Sequence, residues 1–114
     1  MRSQLLLLAA GMAFVAACKS STSPSGGGHS TTISVADFSF SPTPDTVPAG
    51  QVTFNWASGT HNVTWDTGPG TLPPNSSTIT MTSGTYPATL QRGTYQYHCS
   101  FHVAQGMRGT IVVQ

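Results

Sequence analysis

The chain has 114 residues, 38% of them hydrophobic and 6% charged, which suffices for one small core and leaves no room for a second, catalytic domain. Four Lys and Arg stand against three Asp, with no Glu at all, and so neutral a surface excludes nucleic acid as a partner and strong electrostatic steering. Asp37, Asp45 and Asp66 are too scattered for paired-carboxylate acid/base chemistry.

The N-terminal stretch "MRSQLLLLAAGMAFVAAC" has one basic residue, Arg2, followed by an apolar run from Leu5 to Ala17. That run is too short for an ordinary transmembrane helix and reads as an export signal covering residues 1–17. Its end, "VAAC", resembles the lipobox of bacterial lipoproteins. The resemblance implies that Cys18 is acylated, becomes the mature N-terminus and holds the protein to a membrane facing the periplasm or the cell surface. An ordinary signal-peptidase site with an incidental cysteine is the competing reading. Residues 18–31, rich in Ser, Thr and Gly, form a flexible tether in which His29 is a solvated linker residue. Two cysteines in an exported chain raise the question of a disulfide. None is expected between a lipidated Cys18 on a tether and Cys99 inside a cluster of other potential ligands.

From residue 32 to 114 the pattern is all-β: β-branched and aromatic residues alternate with polar ones, broken every few residues by Gly, Pro or Asn. In "TTISVADFSFSP" the apolar phase switches between Val35 and Phe38, which predicts a bulge or bend near Ala36 and Asp37. "VPAG" is a turn. "QVTFNW" puts Val52, Phe54 and Trp56 on one face, "HNVTW" does the same with Val63 and Trp65, and "STITM" is read as a further strand with Ile79 and Met81 in the core. "DTGPGTLPPNSS" is a loop. "TYPATL" and "TYQYHC" flank the turn "QRG", with Tyr95, Tyr97 and Cys99 sharing a side, and "MRGTIVV" closes the set. Seven or eight short strands at this spacing predict a Greek-key β-sandwich.

The chemistry is concentrated in "YHCSFHVAQGM". Cys99 can end one strand, His102 lie beyond a turn and Met107 begin the next strand, while His61, opening "HNV", can be brought alongside by the sandwich. One thiolate, two imidazoles and one weak thioether make the donor set of a mononuclear blue-copper centre: thiolate suits Cu(I), imidazole suits both oxidation states, and a long axial thioether bond changes little between them. A buried Cys or Met is usually plain core, but four residue types at this spacing in an all-β chain are hard to reconcile with packing alone. Zinc could use the three strong donors, but the thioether has no purpose in a structural zinc site.

At "FSFSP", "VPAG", "HNV" and Cys-x2-His-x4-Met the chain resembles the small cupredoxins of the plastocyanin and pseudoazurin group, over residues 32–114. The resemblance implies one Cu(I)/Cu(II) ion per chain, with His61, Cys99 and His102 as equatorial ligands and Met107 as the axial one. It further implies that Asn62 ties the two ligand loops together, that Ser100 braces the longer one, and that Phe101 stands where plastocyanins commonly have Pro. A Phe there restores a backbone N–H close to the Cys99 sulfur, and a hydrogen bond from it would raise the potential. His98 precedes the cysteine, where the group more often has an aromatic.

The expected function is single-electron carriage outside the cytoplasm by a monomer, with redox proteins docking transiently on the apolar surface beside His102, formed by Phe101, Val103, Ala104 and Gly106. Two other readings compete. A copper store or delivery protein would ordinarily carry Met-rich or His-rich tracts, which this sequence lacks. A copper enzyme subunit could use His98 for a second copper, yet only four histidines are present.

Overall fold

The computed structural model describes residues 28–80 and 82–114. The export signal, Cys18, most of the tether and Met81 lie outside the described residues. Eight strands form two four-stranded sheets. β1 (Thr32–Ala36), β2 (Ser39–Ser41), β4 (Gly50–Trp56) and β6 (Thr85–Leu90) make one sheet, in the order β2-β1-β4-β6. β3 (Asp45–Val47), β5 (Thr64–Thr67), β7 (Gly93–His98) and β8 (Arg108–Val113) make the other, in the order β3-β8-β7-β5. β1 runs parallel to β4 and β3 parallel to β8, while all other pairings are antiparallel. This is the β-sandwich that the alternating pattern predicts.

Alternation decides which side chains meet between the sheets, because successive residues of a strand face opposite sides. Ile33 and Val35, then Val52, Phe54 and Trp56, then Ala88 and Leu90 point inward from the first sheet. Val47, Trp65, Tyr95, Tyr97, Ile111 and Val113 answer from the second. Phe54 lies at the centre, edge-on to Phe40, Trp65 and Tyr97 at centroid separations of 5.2–6.1 Å. Edge-to-face aromatic pairs of this kind add to the stabilisation from burial itself.

Three features refine or correct the sequence-based expectation. Of the bulge or bend expected after Val35, the structure has the bend, as a hairpin reversal: Asp37 and Phe38 form the turn between β1 and β2, and Val35 pairs with Phe40 across it. Alternation restarts in β2, so Phe40 enters the core while Phe38, with a left-handed φ of 65°, stays 48% exposed. The described part of "STITM", residues 77–80, forms no strand, and its one ladder contact among the described residues is a bridge between Ile79 and His61. Pro73 and Pro74 remove two donors from the approach to it, and side chains replace the ladder: Val63 N–H donates to Ser76 Oγ (2.8 Å) and Trp65 N–H to Asn75 Oδ1 (2.9 Å). Backbone pairing also includes residues before Thr32. Gly28, inside the stretch read as tether, donates to the Pro44 carbonyl and accepts from Thr46 N–H, and Ser30 N–H donates to the buried Asp45 carboxylate.

Candidate metal centre

The inward alternation of β7 continues one residue past its end, so Cys99 follows Tyr95 and Tyr97 into the interior and is fully buried. The chain then turns on itself. His102 N–H donates to the Cys99 carbonyl, a single 3₁₀ turn spans Val103–Gln105, and Gly106 closes it in the left-handed region (φ 79°), donating to the Val103 carbonyl. Glycine adopts that conformation at little cost. Met107 N–H returns to the His102 carbonyl (3.2 Å) and Cys99 N–H to the Met107 carbonyl (3.1 Å), so the loop is laced by its own backbone. Met107, fully buried, immediately precedes β8 and is tied by its carbonyl to Cys99 N–H.

His61 arrives from a different part of the chain. Its N–H and carbonyl both pair with Ile79 (3.1 and 3.0 Å), and its side chain is completely buried. Cys99 Sγ lies 3.8 Å from His61 Nδ1 and 3.6 Å from His102 Nδ1, and the candidate ligand atoms of these three residues all fall within 4.8 Å of one another. Among the described residues this is the one group of three or more His, Cys, Asp or Glu able to hold an ion. His102, unlike the other two, is partly exposed at the rim.

The electrostatics favour a metal. Burial, and then the neighbouring His102 ring, pull the His61 pKa below the ordinary histidine value, against the Asp37 carboxylate and the Ser58 carbonyl, which raise it. The ring is therefore neutral at neutral pH and offers a lone pair, as a metal ligand must.

The two arms of the site are joined by the pair the sequence singled out. Asn62 Nδ2–H donates to Ser100 Oγ (2.8 Å), and Ser100 N–H donates to Asn62 Oδ1 (2.9 Å). Among the described residues the hydrogen-bonding contacts of the Cys99 sulfur are with the two histidine Nδ1 atoms, and the Phe101 N–H is not one of them. The chain reverses on the Cys99 carbonyl and carries Phe101 outward, 52% exposed. His98 faces away from the centre, as a strand neighbour of Cys99 should, and its Nδ1 is 2.8 Å from the Asp66 carboxylate. Cys99 is a free thiol.

Two residues at the site escaped the sequence reading, both on the β1–β2 turn. The Phe38 ring stands edge-on to His102 at 4.8 Å between centroids, and an Asp37 carboxylate oxygen lies 3.2 Å from His61 Nε2. Nothing local marks them, since the turn reaches the site only through the pairing of β1 with β4.

Comparison with known proteins agrees with the donor set. The profile of the copper-binding proteins of the plastocyanin/azurin family matches residues 28–114. The structure is similar to oxidised plastocyanin from Dryopteris crassirhizoma, with 25% identity over 73% of this chain and 99% of that one and a TM-score of 0.60. It is likewise similar to a reduced amicyanin variant, with 27% identity over 81% of this chain and 86% of that one and a TM-score of 0.60. The copper-containing nitrite reductase of Thermus scotoductus SA-01 shares the fold, with 24% identity and a TM-score of 0.62 over 75% of this chain but 22% of that one. No curated protein matches the chain.

Thiolate, two imidazoles and a buried thioether brought together at one end of the sandwich fit one copper ion per chain, held by His61, Cys99 and His102 with Met107 close by. Copper bound by such donors supplies reversible one-electron chemistry. The chain belongs to the plastocyanin/azurin family of copper-binding proteins, as a small blue-copper cupredoxin.

Proposed function

We propose that the protein is a free-standing electron shuttle rather than an enzyme or a copper store, and that it exchanges electrons through the exposed edge of His102. The observation that carries this reading is the surface around that ring. Phe38 (48% exposed), Phe101 (52%) and Val103 (37%) are the large exposed hydrophobics among the described residues, and both aromatic rings neighbour His102. An uncharged apolar rim around a partly exposed ligand suits brief docking, since no salt bridges slow release. Phe38 extends the patch first read as Phe101, Val103, Ala104 and Gly106.

An enzymatic role would need a second, open metal position with about three protein ligands. His98 is accompanied by Asp66 alone, outside any larger group of metal-binding residues among those described. The nitrite reductase likeness extends to 22% of that enzyme's chain and bears on fold alone. Export and anchoring complete the proposal: residues 1–17 are removed, acylated Cys18 holds the monomer at a membrane outside the cytoplasm, and the segment up to Gly28 gives it reach. Among the described residues no helix is long and apolar enough to cross a membrane.

Electron self-exchange in the copper-loaded protein tests the docking surface, because two copies must meet patch to patch. Phe101→Asp places like charges opposite each other and should slow self-exchange by about tenfold or more while leaving the blue absorption band in place. An unchanged rate would place the exchange surface elsewhere. Cys18→Ser should release the protein from the membrane fraction.

A further inference from the structure

We propose that Asp37 is the positioning residue for His61: its carboxylate accepts a hydrogen bond from the ring Nε2–H, fixes Nδ1 as the metal-facing nitrogen, and biases the centre toward Cu(II). The inference rests on the copper reading and goes beyond it, since it concerns how this chain sets its own potential.

Geometry carries it. His61 Nδ1 faces the Cys99 sulfur at 3.8 Å, so in a neutral, ligating imidazole the proton resides on Nε2. Nε2 is completely buried, and the charged atom beside it is Asp37 Oδ1 at 3.2 Å. A buried donor without an acceptor is costly, and a metal-bound histidine ordinarily gives its second N–H to a carboxylate or carbonyl that orients the ring and strengthens it as a donor.

The surroundings are arranged for this pair. Asp37 is fixed by its own N–H, which donates to Ser58 Oγ (3.2 Å), while the Val35 carbonyl accepts from Ala57 N–H (2.7 Å), clamping the β1–β2 turn against the segment that leads to His61. Gly59 lies between them at φ 80°, and a Cβ there would collide with both Asp37 Oδ1 and His61 Nε2. Any other residue at 59 would therefore both strain the backbone and fill the space in which carboxylate and imidazole meet. The Ser58 carbonyl also faces the ring. It can accept the proton but carries no formal charge, and this difference lets an experiment separate the two acceptors.

A carboxylate beside a ligand stabilises the more highly charged metal, so removing its charge shifts preference toward Cu(I). Loss of such an outer partner typically alters metal affinity about 10–100-fold. Because the Asp37 side chain is 58% exposed and hence partly screened, the lower figure applies. Asp37→Asn should keep the blue band and lower the preference for Cu(II) over Cu(I) about tenfold, a rise in potential of about 59 mV for a one-electron couple. Asp37→Glu, which keeps the charge, should recover part of that shift.

A second readout needs no copper: nitrogen NMR of the metal-free protein should find His61 protonated on Nε2, with the Nδ1–H tautomer becoming populated in Asp37→Asn. A blue Asp37→Asn variant with wild-type potential and wild-type tautomer would overturn the proposal and assign the proton to Ser58. Absence of a blue band in the wild type would instead overturn the copper reading, and the tautomer measurement would still decide the role of Asp37.

Discussion

The two arms of the metal centre are built in opposite ways. From Cys99 to Met107 the chain laces itself with five backbone hydrogen bonds confined to the loop, Cys99 to Met107, His102 to Cys99, Gln105 to His102, Gly106 to Val103 and Met107 to His102. His61 makes no comparable local turn: it is held by Ile79, joined to the other arm by Asn62 and Ser100, and flanked by Asp37 from the β1–β2 turn. The first arm is thus a local structure docked on the sandwich, whereas the second is a consequence of the sandwich. A self-bonded loop can tolerate side-chain change without losing its shape, while an arm held by distant partners transmits any loosening of the fold to the metal.

Four experiments break or sharpen that contrast. The largest effect is expected from Cys99→Ser, which should abolish the intense thiolate-to-copper absorption band, because thiolate is the strong ligand and its charge-transfer transition needs sulfur. An unaltered spectrum would remove Cys99 from the centre. Next comes Asn62→Ala, which cuts the link between the arms. Both of its bonds to Ser100 lie near the surface, so a loss of about 1 kcal/mol in unfolding free energy is expected, with faster copper release to a chelator and the blue colour retained. If unfolding and release rates both stay at wild-type values, the arms are not coupled through this pair.

Met107→Leu tests the loop arm alone. The thioether is the weak donor, and its loss disfavours Cu(II) more than Cu(I), so the band should persist while the potential rises by the order of 59 mV, about a tenfold change in the one-electron equilibrium. A potential that falls would mean that Met107 does not donate to the metal. The smallest effect belongs to His98→Ala. Its ring is paired with Asp66 on the face of β7 away from Cys99, so spectrum and copper stoichiometry should be unchanged. Loss of a second bound copper equivalent would revive the enzymatic alternative.

The same contrast explains what could be read in advance. The alternation of Val52, Phe54 and Trp56, and of Tyr95, Tyr97 and Cys99, is a period-two signal that survives intact in β4 and β7. The Cys99, His102 and Met107 spacing is likewise local, and the loop that realises it closes within nine residues. "STITM" carried the same kind of signal and misled. Its pattern fits a strand, yet Pro73 and Pro74 precede it and Asn75 and Ser76 take over the pairing of the neighbouring chain through their side chains. Side-chain acceptors can replace a ladder, and periodicity does not register the exchange.

What the sequence determined by itself is the strand alternation, the identity of the donors and the shape of the loop that holds most of them, because each rests on residues within a few positions of one another. What tertiary structure alone decided is which acceptor faces His61 Nε2 and which rings surround His102. Asp37 and Phe38 reach the site through a hairpin turn that the sequence marked only as a bulge or bend, and the parallel pairing of β1 with β4 sets that turn against Ser58 and Gly59. Contacts between segments more than twenty residues apart depend on register and sheet order, and those are fixed only when the two apolar faces close on each other.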